Sequence, residues 1–256
     1  MFDDAELMER QRRSQRTFHR AIAAASPGAR LLEGGGGLQA TAVPAAPRFA
    51  LVNSVFYDDP PALGHALPEL SEFYDSAGVA HWGVWVPGTD AVTARLLRSR
   101  GHTRRMAPMV MGGPLQDRVG DRELEIELEV GAPAGLVGRC NDIAFGVRPP
   151  DTLSAAFQVD AGTGWRGYVA RRGGELACGL IVRHDSGNLY TWGLAATPAA
   201  RGSMLAITLM RAVIRDAVRA GCETCTCETT PAAQTIASYM RLRPIGRWAL
   251  WERRAD

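Results

Sequence analysis

The chain has 256 residues, a formal net charge of +2, 46% hydrophobic and 22% charged residues. This is a core-forming composition with room for one large domain or two ordinary ones, and it announces no strongly basic nucleic-acid surface. All 29 residues in the Lys+Arg count are arginine, which excludes chemistry that needs a Schiff-base or phosphate-loop lysine.

Residues 1–26 predict an amphipathic helix, acidic first and then basic, with Leu7, Phe18 and Ile22 as its apolar contacts. The segment lacks an apolar leader core, and no apolar run is long enough to span a bilayer. Two short strands, 30–33 and 38–43, are joined by Gly34–Gly37, which reads as a hairpin turn because no Gly-Lys-Ser/Thr follows it. A strand at 49–55, a helix at 61–77, a strand at 81–86, a helix at 89–99 and a strand at 103–111 complete the first half. The polar, turn-rich PLQDRVGD (114–121) places a domain boundary near residue 116, giving domains 1–115 and 116–256.

The second half opens with ELEIELEV (123–130), whose acidic and apolar residues alternate as in a strand with one wet face. A helix at 133–145 is followed by strands at 165–171, 175–183 and 189–195, separated by Gly173–Gly174 and Asp185–Ser186–Gly187 turns. Leu205, Leu209, Val213 and Ala217 recur at helical spacing in 203–220, and Gly221 stops that helix. A strand at 222–228, a helix at 232–241 and a strand at 247–253 close the chain. The fold class is α/β, and the halves look like a diverged internal duplication.

The junction LAATPAARGSMLAITLMRAVI (194–214) carries the strongest chemical signal. A strand ends, Pro198 turns the chain, and Arg201–Gly202 opens the long helix. The first N–H groups of a helix have no internal partner and sit at the positive end of its dipole, where phosphate binds. Gly202 allows close approach and Ser203 adds a hydroxyl. An ordinary strand–helix turn is the other reading.

This junction resembles the acyl-CoA pyrophosphate loop of the GNAT superfamily of N-acetyltransferases, Q/R-x-x-G-x-G/A between a strand and a long helix. ASYMRLRPIG (237–246) resembles the family's late helix, LYxxLGF, and RWALWERR resembles its closing strand. The resemblance covers about residues 120–256. The first half resembles a degenerate copy, with LLRSRGH (96–102) at its late-helix ending. Ala199 stands where Gln or Arg is usual, Met204 where a second small residue is usual, and Arg243–Pro244 where Gly and an aromatic are usual.

The resemblance implies two GNAT-like domains, each a mixed central sheet flanked by helices. It also implies an N-acyltransferase that moves an acyl group, acetyl being expected, from acetyl-CoA to a primary amine of a small molecule or peptide. Leu194, Ala195 and Ala196 of a splayed strand, with Arg201, Gly202, Ser203, Met204 and Leu205, would bind the co-substrate. Tyr239 would protonate the departing CoA thiolate, a role open to a phenol. By spacing alone it is a half-buried helix tyrosine with its hydroxyl on water. Glu228, at a strand end, could take the amine proton or be merely solvated. His184–Asp185, Asp160 and Glu175 are weaker bases. The departures leave a second reading: a non-catalytic acyl-CoA-binding or regulatory scaffold.

Cys222, Cys225 and Cys227 lack a second ligand pair, so no metal is expected, and an odd count of five cysteines fits a reducing cytoplasm. The basic run 9–20 is all that favours nucleic acid, which is not expected as a partner, nor is a membrane. In the first half Asp58 and Asp59 start the helix where pyrophosphate would dock, so this half is expected to be structural or substrate-shaping. Acceptor walls are expected from 141–157 and 248–251. Asp142, Asp151 and Asp160 could draw a cationic amine, and Trp165 and Trp192 could form a flat surface.

Overall fold

The computed structural model describes residues 2–115, 126–158 and 164–254. Its backbone groups into two units: a larger one of Met1–Gln15 and Met109–Gly246, and a smaller one of Arg16–Pro108 and Arg247–Asp256. Helix α1 (Asp4–Ala25) starts in the larger unit and ends in the smaller one.

In the smaller unit, β1 (Arg30–Gly34) and β2 (Leu38–Ala42) form an antiparallel hairpin from Arg30↔Ala42 to Gly34↔Leu38. β3 (Ser54–Phe56) lies antiparallel to β2 and parallel to β4 (His81–Pro87). Helices α2 (Pro60–Ser76) and α3 (Ala91–Ser99) supply Leu63, Leu67, Leu70, Tyr74 and Leu97 to one core with Trp82 and Val84. The residues from Trp248 to Arg254 pair antiparallel with β4, and part of this run also pairs with β5 (Thr103–Met106).

Two predicted strands change. Residues 49–53 form turns instead of strand because the buried Asn53 holds them: it accepts from the Val43 N–H at 2.6 Å and donates to the Ala46 carbonyl at 2.7 Å. The predicted 103–111 strand breaks at Ala107–Pro108, where proline removes a ladder donor. Its second part, β6 (Met109–Pro114), belongs to the larger unit.

In the larger unit the strand order is β7 (Glu127–Ala132), β8 (Trp165–Arg172), β9 (Glu175–Asp185), β10 (Asn188–Ala196), β11 (Thr224–Thr229), then β6, with the start of β12 (Arg243–Arg254) beyond. β7 to β10 are antiparallel, β10 and β11 parallel, and β11 and β6 antiparallel. α4 (Ala134–Phe145) and the short α5 (Thr152–Ala156), which sequence reading missed, precede β8. α6 (Leu205–Arg219) and α7 (Pro231–Tyr239) flank β11 in sequence. Leu209, Val213 and Ala217 pack with Leu180, Leu189 and Cys225 in the main core, as the helical spacing predicts. The first residues of the predicted 123–130 strand lie outside the described residues.

The expected division at 115/116 thus differs from how the backbone groups. β6 pairs with β11 from Thr224↔Pro114 to Thr229↔Met109, so it sits with the later sequence, while 247–254 sit with the earlier. A fragment of residues 116–256 loses β6, with Val110 and Met111 buried to 0% and 2% exposure. Each such side chain contributes about 1.5–3 kcal/mol. We expect the fragment to lack near-ultraviolet circular dichroism and a cooperative thermal transition, both present in the full chain.

Candidate active site

β10 and β11 pair only from Asn188↔Thr224 to Thr191↔Cys227; beyond that point β10 runs on to Ala196 and β11 to Thr229 without pairing each other. The separation coincides with a register shift in β10, between Trp192 and Ala195, against β9. Gly193 has φ +69, a left-handed conformation that suits glycine. Asn141 of α4, 3% exposed, donates its amide to the Val137 carbonyl at 2.9 Å and the Gly193 carbonyl at 2.8 Å. Sequence reading missed Gly193, although a lone glycine in a strand pattern is a bulge signal, and placed Asn141 only at the start of an expected acceptor wall.

After β10, the Thr197 N–H bonds the Ala177 carbonyl, and Pro198–Ala200 make one 3-10 turn. Gly202 has φ +74 with open space where a Cβ would be. α6 starts at Leu205, two residues later than predicted, because Ser203 is used as an entry residue. Its hydroxyl donates to the Ala200 carbonyl at 2.5 Å and its oxygen accepts from the Leu205 N–H at 3.4 Å. Among the described residues no backbone carbonyl accepts from the N–H groups of Gly202, Met204, Ala206 or Ile207. The first turn of α6 carries no acidic residue. Met204 is 43% exposed, so its side chain is not packed into the core, and Leu205 is buried beside Ala177 and Ala200. The Arg201 guanidinium donates to the Ala144 carbonyl at the end of α4. Leu194 and Ala196 pack against the main core, and Ala195 pairs with Gly179 of β9.

Tyr239, the last residue of α7, is 45% exposed, and its hydroxyl oxygen accepts a hydrogen bond from the Arg211 guanidinium. Arg211 lies on α6, 3% exposed, with its guanidinium carbon 5.3 Å from the Tyr239 ring centroid. The missed signal was a lone arginine within the otherwise apolar run Leu209–Ile214.

Glu228 is partly buried, just past the last β10–β11 pair. Gln11 of α1 donates to its carboxylate, and the Tyr190 hydroxyl donates at 3.2 Å. Burial pushes the Glu228 carboxyl up to about 7, against the lowering effect of these bonds. Strand alternation sets Cys225 and Cys227 toward the core of α6 and α7, and Thr224, Thr226 and Glu228 toward the other face. α7, which carries Tyr239, thus packs on the face of the sheet opposite Glu228.

Other candidates find different roles. Asp142, 4% exposed, accepts from the N–H groups of Leu153 at 3.0 Å and Ser154 at 3.2 Å, so it anchors α5 and does not face a cationic amine. His184 and Asp185 end β9 instead of lying in the turn, and burial and Arg166 lower the His184 pKa. Glu175 opens β9 beside the Gly173–Gly174 turn. Asp160 lies outside the described residues. Trp192 meets Phe157 edge-on at 4.9 Å, while Trp251 packs into the smaller unit's core. All five cysteines are buried and free, and burial raises the Cys140 and Cys227 thiols to about 12. No group of three or more metal-type side chains occurs among the described residues.

The corresponding corner of the smaller unit is filled by its own chain. The Gly36 carbonyl accepts from the Asp58 and Asp59 N–H groups, and Arg16 pairs with the Asp58 carboxylate at 2.8 Å. A Cβ on Gly37 would stand 1.8 Å from Asp58 Oδ2. The glycine run thus serves close packing against the start of α2.

Because folding raises the Glu228 pKa, its contribution to stability is present below its unfolded value of 4.5 and is lost as pH rises through about 7. Glu228→Gln is expected to raise Tm relative to the natural protein at pH 8 and to have little effect at pH 5, measured by calorimetry.

Residues 142–227 match the family model described as "Acetyltransferase (GNAT) domain". No curated protein matches the chain in sequence. Among solved structures, a GCN5-related N-acetyltransferase from Kribbella flavida is 14% identical with a TM-score of 0.69, covering 96% of each chain. A tandem GNAT protein from the clavulanic acid biosynthesis pathway is 16% identical with a TM-score of 0.58, over 95% of this chain and 94% of that one. A GCN5-related N-acetyltransferase from Sphaerobacter thermophilus is 17% identical with a TM-score of 0.57, over 88% and 80%. At these identities the structural likeness is one of fold.

Proposed function

For a chain of tandem GNAT fold, its GNAT domain matched at 142–227, we propose an N-acyltransferase that moves acetyl from acetyl-CoA to a primary amine of a small molecule or peptide. The observation that carries this reading is the parting of β10 and β11 directly before an α6 N-terminus with unpartnered N–H groups. Bound acetyl-CoA would supply the thioester whose carbonyl carbon the amine attacks.

The chain's residues fit that co-substrate. The N–H groups of Gly202, Met204, Ala206 and Ile207, at the positive end of α6, suit a pyrophosphate, and no carboxylate in the first turn opposes it. Arg201 adds positive charge beside this loop. The backbone of Leu194–Ala196, freed from β11, would orient the pantetheine and thioester. Ser203 and Leu205 act through the backbone path they fix.

Glu228, with its carboxyl near 7, would take the proton from an incoming ammonium, and Tyr239 would give its phenol proton to the departing thiolate. Positioning does most of the remaining work. The smaller unit, its equivalent corner closed by Asp58, Asp59 and Gly36, would serve as a structural or substrate-shaping unit. Five buried free thiols suit a reducing, cytoplasmic setting; among the described residues no helix is long and apolar enough to cross a membrane.

One observation favours the second reading, a non-catalytic regulatory scaffold: Arg201, the loop's cation, is engaged with the Ala144 carbonyl. Calorimetric titration with acetyl-CoA, followed by thiol release across an amine panel, separates the readings. Saturable binding, weakened about tenfold or more in Arg201→Glu, is expected. Tyr239→Phe is expected to lower kcat about a hundredfold with KM for acetyl-CoA little changed. Binding without thiol release would favour the scaffold.

A further inference from the structure

We propose that Arg211 is a positioning residue for the acyl-transfer step, aiming the Tyr239 proton at the leaving sulfur and holding fixed positive charge beside the phenol; this rests on the reading of Tyr239 as proton donor. A guanidinium has donors only, so in the Arg211–Tyr239 hydrogen bond the phenol oxygen must accept. The single phenol proton is thereby left for another acceptor. When the C–S bond of the thioester breaks, the electron pair goes to sulfur and the phenol O–H bond supplies the proton. The phenolate formed is neutralised by the guanidinium until water returns the proton.

The location supports a role beyond packing. Arg211 is 3% exposed within Thr208–Ile214, a run of α6 in which every residue is buried. Burying a cation there costs desolvation that an apolar residue of similar length avoids. In such surroundings, its field on a nearby group is screened far less than in water. The guanidinium also lies over the Tyr239 ring, which fixes the ring as well as the hydroxyl.

The test combines Arg211→Met, Arg211→Lys, Tyr239→Phe and the Arg211→Met/Tyr239→Phe double variant. Arg211→Met is expected to lower kcat about tenfold or more, the effect of losing a charged hydrogen bond. KM for acetyl-CoA should change little, and Tm should be equal or higher. Arg211→Lys should restore part of kcat. In the Tyr239→Phe background, Arg211→Met should cost almost nothing further, because both residues act through one proton.

An equal fractional loss in both backgrounds, or an unchanged kcat, overturns the proposal while leaving acyl transfer intact. Loss of Tm without a specific kcat effect makes Arg211 structural and also overturns it. A readout without turnover is the ultraviolet thiolate absorbance of bound CoA at pH 8. It should be larger for the natural protein than for Arg211→Met, and equality overturns the proposal. Failure of CoA to bind at all removes the N-acyltransferase reading and this inference with it.

Discussion

Two parallel strands that stop pairing part-way along are the constraint on which the rest of the larger unit depends. Past Thr191 and Cys227 the inward edges of β10 and β11 have no partner in each other, and the β10 bulge at Gly193 is tied to α4 through Asn141. An unpaired strand edge exposes backbone donors and acceptors and ordinarily invites another strand. Here the same free edge lies next to a helix start with free N–H groups, so the polar groups a sheet would normally satisfy face toward one region. The candidate site is thus a gap made by ending pairing early, bordered by backbone groups of β10 and of the start of α6.

The acid and base candidates acquire their character from opposite faces of the sheet. Glu228 is shifted because its carboxyl is withdrawn from water under α1, where Gln11 and Tyr190 supply hydrogen bonds too few to offset the burial. Tyr239 stays half exposed and takes its orientation from a buried cation on the neighbouring helix. The smaller unit shows the contrast: where Gly202 leaves open space, Gly36 and Gly37 are pressed against Asp58 and Asp59. The same element order gives an open corner in one unit and a self-filled one in the other.

Elements with strong local periodicity were legible in the sequence. The stripe Leu205, Leu209, Val213, Ala217 located α6, and alternation with turn glycines located β8 to β10. The loop around Gly202 and Tyr239 became candidates through the resemblance to a known family's motifs, and Glu228 through its place at a strand end. What stayed hidden depends on partners far away in sequence. Asn53 replaces a strand by a set of side-chain hydrogen bonds, Pro108 splits one strand between units, and Asp142 looks like a surface acid until Leu153 and Ser154 are seen to bond it. Arg211 gave a local hint, a lone charge within the apolar run Leu209–Ile214, but only the fold shows that Tyr239 accepts its hydrogen bond.

The path of β12 also bears on how the chain is made. Residues 248–254 supply the strand that pairs with β4 and, in part, with β5, yet they are synthesised well after residues 16–108. While the protein is still emerging, residues 16–108 lack that neighbour, and Trp82 and Val84 lack the Trp251 that completes their core. Domains usually fold in order of synthesis, but here the earlier unit must wait for a strand that follows the larger unit's sheet in sequence. The native pairing is long-range in sequence and pays loop-closure entropy before it is rewarded. Completion of the smaller unit is therefore tied to a later event, the arrival of residues 248–254.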